Sequence, residues 1–208
     1  MLAGPNGSGK STLFETRIAP KFAMQFINAD IIQRDELKDG DVNAAYEAAQ
    51  IATERRAAIM ADRKSFATET VFSHPSKLEL ITQAKALGYR VMTFHISVAH
   101  PNLSVARVNE RVIEGGHPVP EEKIRNRYDR SGPLIRQAIL SSDIGHVFDN
   151  SQLNQPPVRA LSFANGTLTF ALPHLPDWVL DLYGGRFSLL DCSVRRIHWP
   201  VPTNWEVS

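Results

Sequence analysis

The chain has 208 residues, Lys+Arg 23 against Asp+Glu 22, 43% hydrophobic residues and a single cysteine. That length fits one domain with a small appendage, and the balanced charge argues against a protein that binds nucleic acid over its whole surface. No run of 18 apolar residues supports a transmembrane helix, no basic and apolar leader marks the start, so a cytoplasmic protein is expected, and lone Cys192 excludes an internal disulfide framework.

Only Met1-Leu2-Ala3 precede the first glycine-rich turn, fewer than the roughly five or six residues of an ordinary strand. The expectation is that the strand begins upstream, or that the turn is weakly anchored. Residues 24–29 (MQFINA) read as a strand ending at Asp30, 41–63 as a long Ala-rich helix, and 65–70 (SFATET) as a second strand. A helix over 75–87 has Pro75 at its start and Gly88 past its end. Residues 90–98 (RVMTFHISV) form a β run, 102–114 a helix stopped by Gly115-Gly116, and 121–140 a helix with a predicted break at Ser131-Gly132-Pro133. A short strand follows at 146–149. This alternation predicts α/β units around a mostly parallel sheet.

After Asn150 the composition shifts: six of the 13 prolines lie there, and no lysine follows Lys123. Residues 159–164 and 167–172 flank Asn165-Gly166, a type I′ hairpin signal, and 175–183 read as one more helix. The expected organisation is a core over 1–155 that includes a lid at 107–136, a hairpin and helix at 156–183 packed on that core, and a tail at 184–208 without periodicity.

Gly4-Pro5-Asn6-Gly7-Ser8-Gly9-Lys10-Ser11 fits G-x-x-x-x-G-K-[ST] at every fixed position. Glycines allow the tight path that turns successive backbone N–H groups inward around phosphates. Lys10 reaches the outer phosphates, the Ser11 hydroxyl suits Mg²⁺, and Thr12 borders the α-phosphate. The fold expected from this loop is a P-loop NTPase, a three-layer α/β/α sandwich. With its strands numbered in chain order, the sheet runs 2-3-1-4-5. No base-reading motif separates ATP from GTP.

Open α/β sheets bind ligands at strand C-termini. Asp30 sits at such an end, as a base for a substrate hydroxyl or as the cap of a short helix. Glu69 ends the next strand, where a carboxylate can hold substrate hydroxyls or Mg²⁺-bound water. Six arginines lie between Arg107 and Arg136 on a helix–Gly-Gly–helix unit. They suit a lid that clamps phosphoryl charge, with some forming only a solvated, salt-bridged face. The β run at 90–98 ends without an Asp, which disfavours motor-type ATPases and favours a small kinase. His95, His100 and His146 lack ligand spacing and read as strand or loop residues.

These residues resemble the zeta-toxin-like P-loop kinases, which include toxins of toxin–antitoxin systems. The resemblance rests on the loop at 4–12, Asn28-Ala29-Asp30, Glu69-Thr70, Arg111-Val112 with Gly-Gly-His-x-Val-Pro at 115–120, and Arg127-Tyr128. Val147-Phe148-Asp149-Asn150-Ser151 and Leu175-Pro176-Asp177-Trp178 add to it. It implies ATP- or GTP-dependent phosphorylation of a small-molecule hydroxyl, such as that of a nucleotide sugar like UDP-N-acetylglucosamine, with Mg²⁺, and an antitoxin protein as partner. By motif match Lys10 binds phosphates, Asp30 is the general base, and Arg111 is the first lid arginine. Glu69 with Thr70 contacts substrate, as does Glu54 by a looser match. The sequence departs from the pattern at His117, where a second lid arginine stands, so that Arg127 or Arg125 substitutes for it. No arginine follows Glu69 within Thr70-Val71-Phe72-Ser73. Two alternatives stay open beside this reading: a kinase of another acceptor, such as a metabolite or nucleic-acid end, and a truncated or degenerate nucleotide-binding protein without activity.

Overall fold

The computed structural model describes residues 1–113, 116 and 118–186. The expected Gly115 and His117 of the lid hinge, Cys192 and the tail from 187 lie outside the described residues. In chain order the elements are β1 (Leu2–Ala3), α1 (Lys10–Leu13, continued by π turns over Phe14–Ile18), β2 (Gln25–Ile27), and α2 (Ala29–Ile31, continued by π turns over Ile32–Leu37). Then come α3 (Val42–Ala61), β3 (Phe66–Thr70), α4 (Ser76–Ala86), β4 (Met92–Ser97), α5 (Pro101–Ile113) and α6 (Glu121–Ser141). The chain closes with β5 (Ile144–Asp149), β6 (Val158–Ala164), β7 (Thr167–Ala171) and α7 (Asp177–Tyr183).

The strands form one sheet in the order β2-β3-β1-β4-β5-β6-β7. The first five positions match the expected 2-3-1-4-5. β1 is central although only two residues long, pairing in parallel with Glu69 and Thr70 on one side and Phe94 and His95 on the other. The amide of Phe94 donates to the Met1 carbonyl at 2.8 Å. The loop that follows is therefore anchored on both flanks, against the expectation of a weak attachment.

Alternation of side chains across the pleat makes two helical layers possible. Ala3, Val147 and Leu161 face one side, where Ile135 and Ile139 of α6, Ile81 of α4 and Val179 of α7 cover them. Leu2, Ile96 and Phe148 face the other, against Leu13 and Phe14. Ala48 and Ala52 of α3 pack on Ile27, which the register with Thr68 places on the same face as Ala3. β5, β6 and β7 are antiparallel neighbours. Asn165 (φ 48°) and Gly166 (φ 75°) both take the left-handed conformation of the predicted type I′ turn.

One expected boundary is absent. α6 runs unbroken through Ser131-Gly132-Pro133. Its buried residues Ile124, Ser131, Ile135, Ala138 and Ile139 keep a single helical stripe. That continuous packing outweighs the one hydrogen bond Pro133 cannot donate. No helix among the described residues is long and apolar enough to cross a membrane.

Candidate active site

The glycine-rich loop leaves β1 and closes against neighbouring backbone. A Cβ at Gly4 would lie 2.0 Å from the Ile96 carbonyl oxygen, so only glycine fits there. Gly9 caps α1 at φ 89°, and a Cβ there would lie 2.4 Å from Asn150 Nδ2. Asn150 follows β5 and braces the loop: its Nδ2 donates to Ser8 O at 2.9 Å, and its backbone N–H donates to Ser97 O at 2.8 Å. The Ser8 hydroxyl is buried and has no partner among the described residues.

Lys10 is 5% exposed. Its Nζ donates to Pro5 O at 2.9 Å and lies 3.5 Å from Glu69 Oε1. Ser11 Oγ donates to Glu69 Oε2 at 2.7 Å. The carboxylate ending β3 is thus drawn into the loop, making a pair of hard oxygen donors with the Ser11 hydroxyl, the chemistry Mg²⁺ selects. Thr12 is exposed, its carbonyl accepting from Thr16 Oγ1 at 2.7 Å.

Beside the loop lies a cleft of about 190 Å³ lined by Asp30, Arg56, Glu69, Thr70, Lys77 and Arg127. The cap reading of Asp30 is corrected here. Asn28 (φ −137°, ψ 121°) caps α2, and its Oδ1 accepts from the Asp30 amide at 2.8 Å. The Asp30 carboxylate is left exposed and uncommitted at the cleft. Arg127, from α6, donates through Nη1 to Asn6 Oδ1 at 3.1 Å, tying the cleft to the loop. Burial lowers the pKa of its guanidinium while the Asp30 charge acts in the opposite sense. Thr70 Oγ1 accepts from the Phe72 amide at 3.0 Å, holding a turn in which buried Phe72 has φ 59°.

Other expected residues stand elsewhere. Glu54 is exposed and accepts from Gln50 Nε2 at 2.9 Å. The face of α3 turned to the cleft carries Ala49, Ala52 and Arg56, spaced three and four apart, and Glu54 is off that face. Arg111 is exposed near the end of α5 and does not line the cleft, while its carbonyl accepts from the Gly116 amide at 2.8 Å. Arg125 is engaged by Glu121 at 2.7 Å and by Asn102 at 2.8 Å. Of the six lid-region arginines, the cleft receives Arg127. His95 in β4 and His146 in β5 are strand residues, as expected, and both are buried. Burial lowers His95 to about 3, with Lys10 adding to the shift, and His146 to about 4. His95 Nδ1 meets Tyr183 OH at 2.8 Å.

Arg56, Lys77 and the brace Asn150 were not singled out as site residues by sequence reasoning. For Arg56 a signal existed in the spacing Ala49-Ala52-Arg56, a small-residue stripe ending in a cation. Lys77, in the first turn of α4, carries no comparable signal.

The zeta toxin family model matches residues 1–151. Crystal structures of the AvrRxo1-ORF1:AvrRxo1-ORF2 complex share the fold. The form with sulphate ions has 14% identity and TM-score 0.66 over 90% of this chain and 64% of that one. The form with ATP has 14% identity and TM-score 0.65 over the same 90% and 64%. This chain thus spans a little under two thirds of the length of those chains. A structure from the PezAT chromosomal toxin–antitoxin system of Streptococcus pneumoniae has 16% identity and TM-score 0.56, covering 92% of this chain and 80% of that one. No curated protein matches the sequence.

Proposed function

Because the chain belongs to the zeta toxin family, we propose that it is a kinase that transfers the γ-phosphoryl group of ATP to a hydroxyl of a small molecule held in the Asp30 cleft. The observation that carries this reading is the meeting of two half-sites. Arg127 is bonded to Asn6 of the phosphate loop, and it lines the same cleft as the uncommitted Asp30 carboxylate. A phosphoryl donor and a hydroxyl acceptor would face one another across that junction.

The roles follow from the chemistry. Backbone amides of Gly7, Ser8 and Gly9 with the Lys10 ammonium hold the phosphates. Ser11 and Glu69 would hold Mg²⁺, which would neutralise charge on the outer phosphates when bound. Asp30 accepts the proton of the attacking hydroxyl, and that oxygen forms the new bond to phosphorus as the bond to the leaving diphosphate breaks. Arg127 stabilises the charge on the transferred group. Arg111 reaches this charge only if the end of α5 moves inward. Glu69 and Thr70 border the acceptor, and Glu54 would join them only through a comparable movement of α3. ATP as donor is supported by the ATP-bound AvrRxo1 complex of like fold. The resemblance also supports a nucleotide sugar as acceptor and a toxin role restrained by an antitoxin, with PezAT as the structural parallel.

The test is transfer of labelled γ-phosphate to a panel of alcohols. Asp30→Ala should lower kcat by about 10²–10⁴-fold while ATP still binds. A wild-type rate in that variant would sink the assignment. Lys10→Ala should abolish nucleotide binding, together with any growth arrest the wild-type protein causes on expression.

A further inference from the structure

The Leu175-Pro176-Asp177-Trp178 segment has no part in the chemistry above. Pro176 (φ −59°, ψ 148°) turns the chain into α7, and Asp177 places negative charge in the first turn. Trp178 follows, half-buried and packed on the cluster that holds Ile135, Val147 and Tyr183. Its ring meets the His95 imidazole edge to face, with centroids 5.3 Å apart. A half-buried indole N–H needs an acceptor. Here Nε1 donates to Asp149 Oδ1 at 2.8 Å, so the C-terminal helix is joined to the end of β5.

Asp149 opens a run of three residues, each held by a different partner. Its Oδ1 accepts from Trp178 and from the Ser151 hydroxyl. Ser151 Oγ accepts in turn from the Ala99 amide at 2.8 Å, just past β4. Asn150, between them, bonds Ser97 O through its backbone and Ser8 O through its side chain, at 2.8 and 2.9 Å. A turn of this backbone would break bonds to α7, to β4 and to the phosphate loop at once. The direction of Asn150 Nδ2 is therefore set by its two neighbours. The loop has no slack to absorb a change, since Asn150 Nδ2 fills the space where a Cβ on Gly9 would lie 2.4 Å away. A neutral donor to a carboxylate makes one of the stronger hydrogen bonds, and the bond from Trp178 stands at the root of this chain.

We infer that Trp178 is a positioning residue for the phosphate loop. Through Asp149 it fixes Asn150, and so α7 sets the geometry of the loop amides. The clamp itself rests on the hydrogen bonds of residues 149–151, whereas its consequence for nucleotide affinity rests on the kinase reading. Loss of the indole N–H then acts on the side of the site that takes the phosphoryl donor. It spares the acceptor side, where Asp30, Glu69 and Thr70 come from the ends of β2 and β3.

The test uses the full chain and Trp178→Phe, which keeps an aromatic ring against His95 and removes the N–H. In the free protein, the Ser8 amide donates to Pro5 O at 3.3 Å. Its hydrogen exchange should quicken at least about threefold in Trp178→Phe, while β2 and β3 exchange as in wild type. Calorimetric titration with Mg²⁺ and a non-hydrolysable ATP analogue should show affinity lowered about three- to tenfold. In an Asn150→Ala background the same replacement should change neither quantity by more than about twofold, because its link to the loop is gone. Val179→Ala, on the same helix, removes buried methyls and no hydrogen bond. It should lower the melting temperature and leave affinity within about twofold. In turnover, Trp178→Phe should raise KM for ATP, with kcat and the acceptor KM within about twofold of wild type. Unchanged Ser8 exchange in Trp178→Phe overturns the inference. So does an effect that persists in full without Asn150, or an equal loss of affinity in Val179→Ala. Ser8 exchange that depends on Trp178 through Asn150, in a chain that binds no ATP analogue, upholds the clamp and defeats the kinase reading. Analogue binding and phosphoryl transfer both indifferent to Trp178 do the reverse.

Discussion

Replacing Gly9 with alanine should weaken the protein through two separable effects. The backbone there has φ 89°, and an L-residue held in the left-handed region costs about 1–2 kcal/mol. The new Cβ would also lie 2.4 Å from Asn150 Nδ2, forcing that side chain away and breaking its 2.9 Å bond to Ser8 O. A lost hydrogen bond of this kind costs about 1 kcal/mol, so Gly9→Ala should cost about 2–3 kcal/mol in all. In an Asn150→Ala background the steric conflict is absent and the hydrogen bond is already lost. Gly9→Ala should then cost only the backbone share. Urea unfolding of the four proteins, with constant m, reads the coupling directly as about 1 kcal/mol. Additivity within about 0.3 kcal/mol would show that Asn150 does not brace the loop. If the loop amides hold the phosphates as proposed, ATP affinity should fall with the same coupling, because the braced segment carries those amides.

Three other outcomes are expected. Arg127→Ala should lower kcat by about 10²-fold, the scale for removing one group that stabilises transition-state charge, whereas Arg125→Ala, which breaks only exposed contacts, should change activity less than about twofold. A comparable loss in both variants would contradict the placement of Arg127. Acid should destabilise the fold through His95 and His146. Both are held below their ordinary 6.5, at about 3 and about 4, so the unfolded chain takes up their protons first. Stability is therefore full above about pH 6.5 and falls as pH drops towards 4, by up to about 1.4 kcal/mol per pH unit for each group. His95→Gln should remove one group's share of that slope in pH-dependent denaturation, and an unchanged slope would refute it. Glu54→Gln should leave kinetics within about twofold of wild type, since its side chain is exposed and off the cleft face; a large rise in acceptor KM would show that α3 rotates during turnover.

Much of the fold was readable because its elements obey local rules. Strand 65–70 places Glu69 beside its C-terminal end, and Asn165-Gly166 fixes the hairpin by left-handed geometry alone. The phosphate loop declares itself because its chemistry is backbone chemistry at fixed glycines. What escaped the sequence depends on helix rotation and on long-range contact. Glu54 and Arg56 are two residues apart, yet about 200° of rotation separates them, so only packing of Ala48 and Ala52 on the sheet tells which one meets the cleft. Asn150 braces Ser8 from 142 positions away, a separation no local pattern reports. Pro133 misled in the opposite way, because a breaker residue yields when both flanking turns are buried. Asn28 took the cap that the residue identities equally allowed to Asp30. That choice decides whether Asp30 is structural or chemical.

The short central strand gives the molecule a seam. Among the described residues, β2 and β3 join β4 to β7 within the sheet through the short β1 and its flanking Met1, since β3 and β4 share no ladder. The half with β2, β3 and α3 contributes Asp30, Glu69 and Arg56, whereas Arg127 stands on α6, packed on the other half. The two reactants would therefore bind astride the line along which the sheet is least cross-linked. Sub-global opening there would part Asp30 from Arg127 without unfolding either half. Filling both sides of the cleft would act as a cross-brace, visible as slowed amide exchange in β2 and β3 ahead of β5 and β6.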